Sequence, residues 1–425
     1  MKKKITKSIM VCLMLVTMLT MSMSNVLAAD KSAANTLKTN GNGGKTDVGI
    51  WYVTYLNESM FPDNWGKGEP IMYRPLISFG DDGILGTADD VYGIPDSSDP
   101  DQIDMHLQLL SDAKIDFIMF DMTNGGLTSK VTYGAGNIWI AKNATLVCQR
   151  IAEWNKTHDW KIKYALAVGT YAAINTDASG KVRPDGETLE LQAEAVYKNY
   201  FLNEEYGGDN YYQLDGKPLL IAHDWGENDA TKWESYFGNR TYGDKFTVRA
   251  GEGGEPGTYG WVAEYGVIAP QDEVELIMPG WGATKPVHSR EDGKLYQEGW
   301  ETILSNDLPR IVMITAFNDV HEKSLVMPCD TSECKPTVEE QWVDEDGNIN
   351  PTMYWDMTVK YIRQMRIQNG EKFDDGNETL TLPMVIIIVA IVTVLMAGVV
   401  VIVLLLSGTK TKSVKKGDKN YESKS

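Results

Sequence analysis

Cysteine is scarce in this 425-residue sequence, which contains only four of these residues. Cys12 lies in a segment that we expect to be removed, and Cys148 lies in an apolar stretch where simple burial is expected. Cys329 and Cys334 are close enough in sequence to form a small local disulfide, with two free thiols as the alternative. This spacing excludes a disulfide scaffold and a metal site made of cysteine pairs.

Basic residues are also few, since 40 Lys and Arg stand against 59 Asp and Glu. The first 29 residues carry +4 and the residues after Gly408 another +4, so the −19 of the whole chain implies −27 for residues 30–381. Such a surface repels nucleic acid and suits a neutral or cationic partner. No glycine-rich phosphate-binding turn follows any predicted strand, so we expect neither a nucleotide nor another cofactor.

The longest apolar runs lie at the two ends of the chain. The first follows four lysines and ends in small residues, which predicts a secretory signal peptide, with a retained anchor helix as the alternative. The second is uncharged and long enough to span a bilayer, and the lysines after it place the tail in the cytoplasm. We therefore predict a signal peptide (1–29), a flexible linker (30–45), an extracellular folded domain (46–368), a stalk (369–382), a single transmembrane helix (383–406) and a basic cytoplasmic tail (407–425).

Between these ends, short β-rich runs alternate with helix-like stretches. The runs "VGIWYVTYL", "IDFIMFD" and "KPLLIAH" are nearly continuous in apolar residues, which is typical of parallel strands buried on both faces. We count seven strands and a doubtful eighth at "WVAEYG". The pattern favours an α/β fold with a (β/α)8 TIM-type barrel over an open doubly wound sheet.

Polar and aromatic residues follow several of the predicted strands. In a parallel barrel the functional face lies at the carboxyl ends of the strands. Aromatic rings beside carboxylates suit a sugar, because ring faces stack on it while its hydroxyls form charge-assisted hydrogen bonds. Instead of binding a sugar, such residues can brace a loop, form a buried histidine hydrogen bond or pack in the core. The candidate substrate-binding residues are Trp51, Tyr52, Asp121, Asn124, His223, Asp224, Trp281, Arg290, Asn318 and His321.

Two acidic stretches suggest chemistry. Asp319 and Glu322 follow the last predicted strand, and a pair of carboxylates is the minimum equipment for glycoside hydrolysis, although a solvated loop has the same spacing. The Asp-rich stretch from Phe79 to Gly93 could bind calcium, with a solvated turn as the alternative. No other metal site is expected.

The stretch "ITAFNDVHE" resembles the SFNEWHEG signature of the family 99 glycoside hydrolases (GH99), the endo-α-mannosidase-like barrel proteins. "VGIWYVTYL", "YYQLDGKPLLIAH" and "YWDMTVKYIRQM" are similar to further segments of that family, in the same order. The resemblance implies that Asp319 is the general base, which helps the 2-hydroxyl of the substrate to attack its own anomeric carbon. It also implies that Glu322 is the general acid.

The resemblance has three departures within this motif. Asp319 stands in place of a glutamate, Val320 in place of an aromatic residue, and Lys323 in place of a glycine. The sequence therefore predicts a membrane-anchored extracellular glycoside hydrolase that acts on a neutral glycan or polysaccharide. A catalytically impaired carbohydrate-binding surface protein on the same fold is the alternative, and a calcium-dependent adhesion module is a second one.

Overall fold

The computed structural model describes most of the predicted folded domain. The described residues are 45–60, 71–128, 131–132, 138–169, 179–181, 185–223, 241–251, 259–260, 273–282, 289–335 and 340–371. The chain divides into two units, residues 1–371 and 372–425, and every described residue belongs to the first. Within these ranges no helix is long and apolar enough to cross a membrane. The predicted signal peptide, transmembrane helix and tail lie outside them.

Seven parallel strands form the central sheet, and all seven were predicted. They follow the order β5-β4-β3-β2-β1-β7-β6, so each strand lies beside its sequence neighbour and β7 lies beside β1. This is the cyclic order of a barrel in which one step, from β5 to β6, is left without pairing among the described residues. The strands are β1 (Asp47–Tyr52), β2 (Phe117–Met122), β3 (Lys163–Gly169), β4 (Lys217–His223), β5 (Thr247–Ala250), β6 (Val274–Ile277) and β7 (Ile311–Ile314).

Side chains join β5 to the start of β6. The guanidinium of Arg249 donates two hydrogen bonds to Glu273, at 2.6 and 3.0 Å, and the Tyr259 hydroxyl donates a third at 2.9 Å. Bidentate arginine–carboxylate pairs fix geometry as well as adding energy. The predicted eighth strand, residues 261–266, belongs to the stretch between these two strands that lies outside the described residues, so it stays a prediction.

The described residues contain five helices beside the sheet. The helix-like stretches "IDMHLQLLSDA", "AKNATLVCQRIAEWN", "ETLELQAEAVYKNYFL" and "YQEGWETILSN" predicted four of them, and the resemblance of "YWDMTVKYIRQM" implied the fifth. The first begins at Pro100 because the side chain of Asp99 accepts a hydrogen bond from the amide of Asp101 at 2.9 Å, and because proline suits the first helical turn. The helices are α1 (Pro100–Asp112), α2 (Ile138–Thr157), α3 (Asp185–Val196), α4 (Lys294–Ser305) and α5 (Met353–Gln368). The alternation of helix and strand therefore gives an α/β fold.

Smaller elements lie outside this alternation; a hairpin before β4 and a helix through Tyr197–Phe201 were predicted, and the others were not. Three antiparallel strands, Arg74–Ser78, Val91–Tyr92 and Cys329–Asp330, form a separate sheet, and Gly125–Thr128 pairs with Val131–Thr132. Gln213–Leu214 pairs antiparallel with β4. Short helical turns occupy Glu58–Met60, Tyr197–Phe201, Gly208–Asn210, Gly243–Lys245 and Glu291–Gly293.

The expected disulfide is absent from this structure. No disulfide joins Cys329 to Cys334, and both are buried, as is Cys148. The preference for a local disulfide was therefore wrong here, and the alternative, two thiols without a disulfide, is observed. Burial raises the pKa of the Cys329 thiol well above its usual value, because the thiolate would lose its hydration.

The Asp-rich stretch is a loop closed by its own carboxylates. Asp89 accepts hydrogen bonds from the Thr87 hydroxyl at 2.6 Å and from the amide of Asp81 at 2.7 Å. These bonds, the Thr87 bond foremost, lower the pKa of Asp89. Asp90 accepts a hydrogen bond from the amide of Gly86 at 2.7 Å. In the part of the chain that the structure describes, no three histidine, cysteine or acidic side chains are grouped to hold a metal ion.

Gly49 makes room at the centre of the sheet. A Cβ atom on this residue would lie 2.3 Å from Met313 Sδ and 2.4 Å from Phe117 Cζ, which belong to the strands on either side. Real Cβ atoms do not approach so closely, so any larger residue would force the neighbours apart. Glycine here lets two large side chains fill the layer beneath the carboxyl end of β1.

Candidate active site

The segment after β7 is fastened to the segment after β1. The amide of Phe317 donates to the carbonyl of Trp51 at 2.8 Å. Asn318 then uses its side chain as a strand partner, accepting from the Val53 amide and donating to the Val53 carbonyl, both at 2.9 Å. Asn318 is buried and is therefore a brace, which places the next residue, Asp319, beside β1. A substrate contact by Asn318 stays a prediction.

Replacing Asn318 with alanine should lower the free energy of unfolding by about 2–4 kcal/mol, because it leaves a buried N–H and a buried C=O of Val53 without partners. Urea denaturation of the wild type and the variant measures this loss. Asn348 is exposed and pairs with Asp344, so its replacement by alanine is the matched control and should cost little. Equal losses in the two variants would contradict the bracing role.

Asp319 is buried, with only 1% of its surface exposed. One carboxylate oxygen, Oδ1, accepts three hydrogen bonds: from the Tyr55 hydroxyl at 3.1 Å and from the amides of His321 and Glu322 at 3.0 Å each. None of the described residues donates to Oδ2. The carboxylate is therefore oriented through one oxygen, and the solvated-loop alternative does not describe this residue.

Burial raises the pKa of Asp319 to about 6, and the negative charge of Asp121 adds to the rise. The three hydrogen bonds to Oδ1 act in the opposite direction, because they stabilise the ionised form. A carboxyl group with this pKa changes its protonation state close to neutral pH. That property suits a general base, which must take up and release a proton under working conditions.

Glu322 lies three residues further along and is partly exposed. Its Oε2 atom accepts a hydrogen bond from the indole N–H of Trp281 at 3.0 Å, and its carbonyl accepts one from the Gly282 amide at 2.9 Å. These two bonds join the segment after β6 to the segment after β7. The structure thus brings together Trp281, Asp319 and Glu322, three residues that the sequence proposed for one site.

Tyr55 is a site residue that the list of candidates left out, although it follows the first strand by three positions. Besides its bond to Asp319, its ring meets the ring of His321 edge-on, with the centroids 5.4 Å apart. Burial and the neighbouring carboxylates raise the pKa of Tyr55 well above its usual value, so the hydroxyl stays protonated and remains a donor. An aromatic residue just past a strand end was the available signal.

Asp121 lies near the end of β2 and faces the same site. It is partly exposed, and its Oδ1 atom accepts hydrogen bonds from the Thr123 hydroxyl at 2.7 Å and the Thr123 amide at 3.0 Å. Burial raises the pKa of Asp121, and its charge in turn raises the pKa of Asp319 and of Tyr55. Asn124 lies in the turn that follows and is also partly exposed. Substrate contacts by both residues stay predictions.

Trp51 and Tyr52 are core residues, each with 1% exposure. The indole N–H of Trp51 donates to the Tyr259 carbonyl at 2.6 Å. Tyr52 is hydrogen-bonded to His106 Nδ1 at 2.7 Å, and its ring stacks on Phe317 with the centroids 5.8 Å apart. Both rings therefore support the site from within the fold, and a sugar contact by either stays a prediction.

Three further candidates have different surroundings. His223 ends β4 and is partly exposed, and burial lowers its pKa to about 4, so the imidazole is neutral at neutral pH. Asp224 lies outside the described residues. Arg290 is buried, with its guanidinium carbon 4.4 Å from the Tyr354 ring centroid, and it donates to the carbonyls of Lys323 and Leu325 at 2.8 Å each. Arg290 thus braces the segment that follows Glu322. This agrees with the packing role that was the alternative to sugar binding.

Lys323 adopts a left-handed backbone conformation, with φ of 56°. Glycine reaches this region without steric cost, whereas other L-residues lose roughly 1–2 kcal/mol there. The glycine of the related sequence pattern falls at this position. The chain thus places a lysine at a backbone position that favours glycine, directly after the partly exposed Glu322.

No protein-family model matches this sequence, and no curated protein matches it. Among solved structures, a GH99 endo-α-mannosidase from Bacteroides thetaiotaomicron in complex with bis-tris-propane superposes with a TM-score of 0.50 at 15% identity, covering 76% of this chain and 98% of the other. The chain has a GH99-like fold. A second structure of a GH99 endo-α-mannosidase from that bacterium gives a TM-score of 0.49 at 14% identity with the same coverage. The GH99-like fold confirms, at the level of architecture, the resemblance first noted in "ITAFNDVHE".

Proposed function

We propose that this protein is a membrane-anchored extracellular glycoside hydrolase acting on a neutral glycan or polysaccharide, with Glu322 as general acid and Asp319 as general base. One observation supports this most: after β7 of a GH99-like fold, the backbone amide of Glu322 donates to the carboxylate of Asp319 at 3.0 Å, so one turn holds both acidic residues. The solved neighbours are endo-α-mannosidases. Endo-acting cleavage of a glycan is therefore the activity to test first.

The surroundings of the two carboxyl groups suit different roles. Glu322 is partly exposed and can approach the glycosidic oxygen of a bound sugar, where a general acid must deliver its proton. Asp319 is held through Oδ1, so Oδ2 is the oxygen that would take a proton from the substrate hydroxyl. Its pKa of about 6 leaves it ionised at neutral pH but still basic enough to accept that proton.

The location proposed for the enzyme comes from the sequence. The apolar stretch 383–406 followed by lysines supports a single-pass anchor with the enzyme domain outside the cell. The cyclic strand order supports closure of the barrel by the segment 261–266 between β5 and β6. Protease protection in intact cells tests the orientation, because an extracellular domain is cleaved while the tail is not.

A carbohydrate-binding protein without turnover is the second candidate. Asp319 is one methylene shorter than the glutamate of the related pattern, and its 1% exposure limits what it can touch. A displacement of about 1 Å can reduce a rate by about a hundredfold. If this reading is right, Asp319→Glu should create or raise activity in a protein that otherwise only binds glycans.

A glycan panel distinguishes the two candidates. We expect the full-length protein to release reducing ends from at least one neutral polysaccharide, with wild-type activity exceeding that of Asp319→Glu. Glycan binding without release, together with a gain of activity in Asp319→Glu, would instead favour the binding protein. Neither binding nor release by any member of the panel would contradict both candidates.

Replacing Tyr55 with phenylalanine should move the acid limb of the kcat/KM profile to higher pH. The variant removes the hydroxyl that stabilises the ionised form of Asp319, so the pKa of Asp319 should rise. Initial rates between pH 4 and 8 measure the shift. Tyr52→Phe is the matched control, because its hydroxyl is equally buried but bonds to His106. An unchanged profile in Tyr55→Phe would contradict a role through Asp319.

A further inference from the structure

A groove with a volume of about 1150 Å³ lies on the helical side of the fold, between α1 and α5. The loop that contains Ile77 and Leu85 closes part of its rim, and Trp154 of α2 and Trp355 of α5 also line it. None of the residues of the candidate active site lines this groove. It is therefore a separate surface for which glycan hydrolysis gives no role.

The two edges of the groove have opposite charge. Asp101, Asp104 and Asp112 line the α1 edge, and their spacing places them along one face of that helix. Asp104 is paired with Arg150, whose Nε donates to it at 2.7 Å. Among the described residues, neither Asp101 nor Asp112 forms a salt bridge, although the charge of Asp101 helps to raise the pKa of Arg150. The α5 edge bears Lys360 and Arg363 together with Asp356.

Exposed aliphatic side chains surround the groove. Ile367 of α5 lines it and is 52% exposed, and Ile84, between two lining residues, is 59% exposed. Val91 and Ile94, which follow the same loop, are exposed as well. Of these four, Ile367 lines the groove itself, and exposed apolar side chains beside charged ones are characteristic of a protein interaction site.

The aromatic residues of the groove argue against a sugar as its occupant. Trp355 and Trp154 are both buried, so neither offers a free ring face on which a sugar could stack. Trp154 is 8% exposed, and its indole N–H has no acceptor among the described residues. That nitrogen is itself buried, so Trp154 gives the groove an apolar wall and offers no polar contact to a ligand.

We infer that this groove binds an amphipathic helix of a partner protein, with basic residues along the α1 edge and acidic residues along the α5 edge. An apolar stripe on such a helix would cover the aliphatic side chains, as in other helix-in-groove complexes. The charge of −27 on residues 30–381 would also attract a helix whose net charge is positive. Because the two edges carry opposite charges, the helix fits in one rotation about its own axis, with its basic side toward α1 and its acidic side toward α5.

A synthetic peptide tests this inference. The probe is an 18-residue helix with a leucine stripe, lysines on one flank and fewer glutamates on the other, labelled for fluorescence anisotropy and titrated with the full-length protein. We expect saturable binding that weakens at least tenfold in the double variant Asp101→Lys, Asp112→Lys. A second peptide with glutamates in place of its lysines should bind the double variant better than the wild type.

The matched control reverses charge elsewhere. Glu345 and Asp346 lie in an exposed turn and neither lines the groove, so changing both to lysine alters the net charge by the same amount without altering the groove. Ile367→Arg is a second groove variant that tests the apolar contact, since this side chain is half exposed and can be replaced without disturbing the core. Absence of saturable binding, equal weakening in the Glu345 and Asp346 control, or displacement of the peptide by a soluble glycan would each overturn the inference.

Discussion

Replacing Glu322 with glutamine should reduce the release of reducing ends from a glycan by about a hundredfold to ten-thousandfold, the contribution expected of one general acid. The amide cannot donate a proton to the leaving oxygen. Its oxygen can still accept the hydrogen bond from Trp281, so the segments after β6 and β7 should stay joined. Initial rates at saturating substrate, with thermal unfolding to confirm that the fold persists, measure the effect.

A substrate with a good leaving group separates the acid role from a binding role. An aryl glycoside needs little protonation when its bond breaks, so the loss in Glu322→Gln should be much smaller with that substrate. Glu298→Gln, an exposed change on α4, is the control and should keep full activity. If Glu322→Gln keeps more than a tenth of the wild-type rate on the glycan, Glu322 is not the general acid.

Replacing Asp319 with asparagine should lower activity by a similar factor and raise stability at neutral pH. Burial raises the pKa of Asp319 from 3.8 to about 6 on folding, so the folded state holds this proton more tightly than the unfolded state does. The contribution of Asp319 to stability is therefore greatest below pH 4 and is lost as the pH rises through 6. The cost at neutral pH is about 3 kcal/mol, which asparagine avoids.

Urea denaturation at pH 4 and pH 7.5 tests the sign of this effect. The free energy of unfolding of Asp319→Asn, relative to that of the wild type, should be higher at pH 7.5 than at pH 4. Tyr55 and two backbone amides point at Oδ1, and the oxygen of asparagine can accept their hydrogen bonds in the same position. A difference between the two proteins that does not change with pH would contradict the raised pKa. Unchanged glycan hydrolysis would contradict the role as a base.

The local sequence pattern was sufficient to predict the parallel strands and the helices beside them. The seven parallel strands are short runs of buried apolar residues, and their burial on both faces leaves a signal that each strand shows by itself. The helices have their own periodicity and, at Asp99, a cap. The antiparallel strands around Arg74 and Cys329 escaped prediction, because they pair residues about 250 positions apart and contain few apolar residues.

Only part of the candidate site could be predicted from the local sequence pattern. The clustering of Asp319 and Glu322 after a strand is visible in the sequence, and so is Trp281 at the end of another. The burial of Trp51 and Tyr52 cannot be seen in the sequence. An aromatic residue at a strand end has the same local pattern whether it faces a pocket or the core. The hydroxyl of Tyr55 reaches Asp319 across 264 positions of sequence, a contact that no local pattern contains.

Residues close together along the chain were enough to predict the α/β architecture, the parallel strands, the acidic character of residues 30–381 and the two carboxylates that follow β7. These properties follow from periodicity, composition and short motifs, which neighbouring residues establish among themselves. The bracing roles of Asn318 and Arg290, the bond from Tyr55 to Asp319 and the raised pKa of Asp319 became visible in the folded chain alone. Each of these depends on which distant side chains surround a residue and exclude water from it, and folding alone brings those groups together.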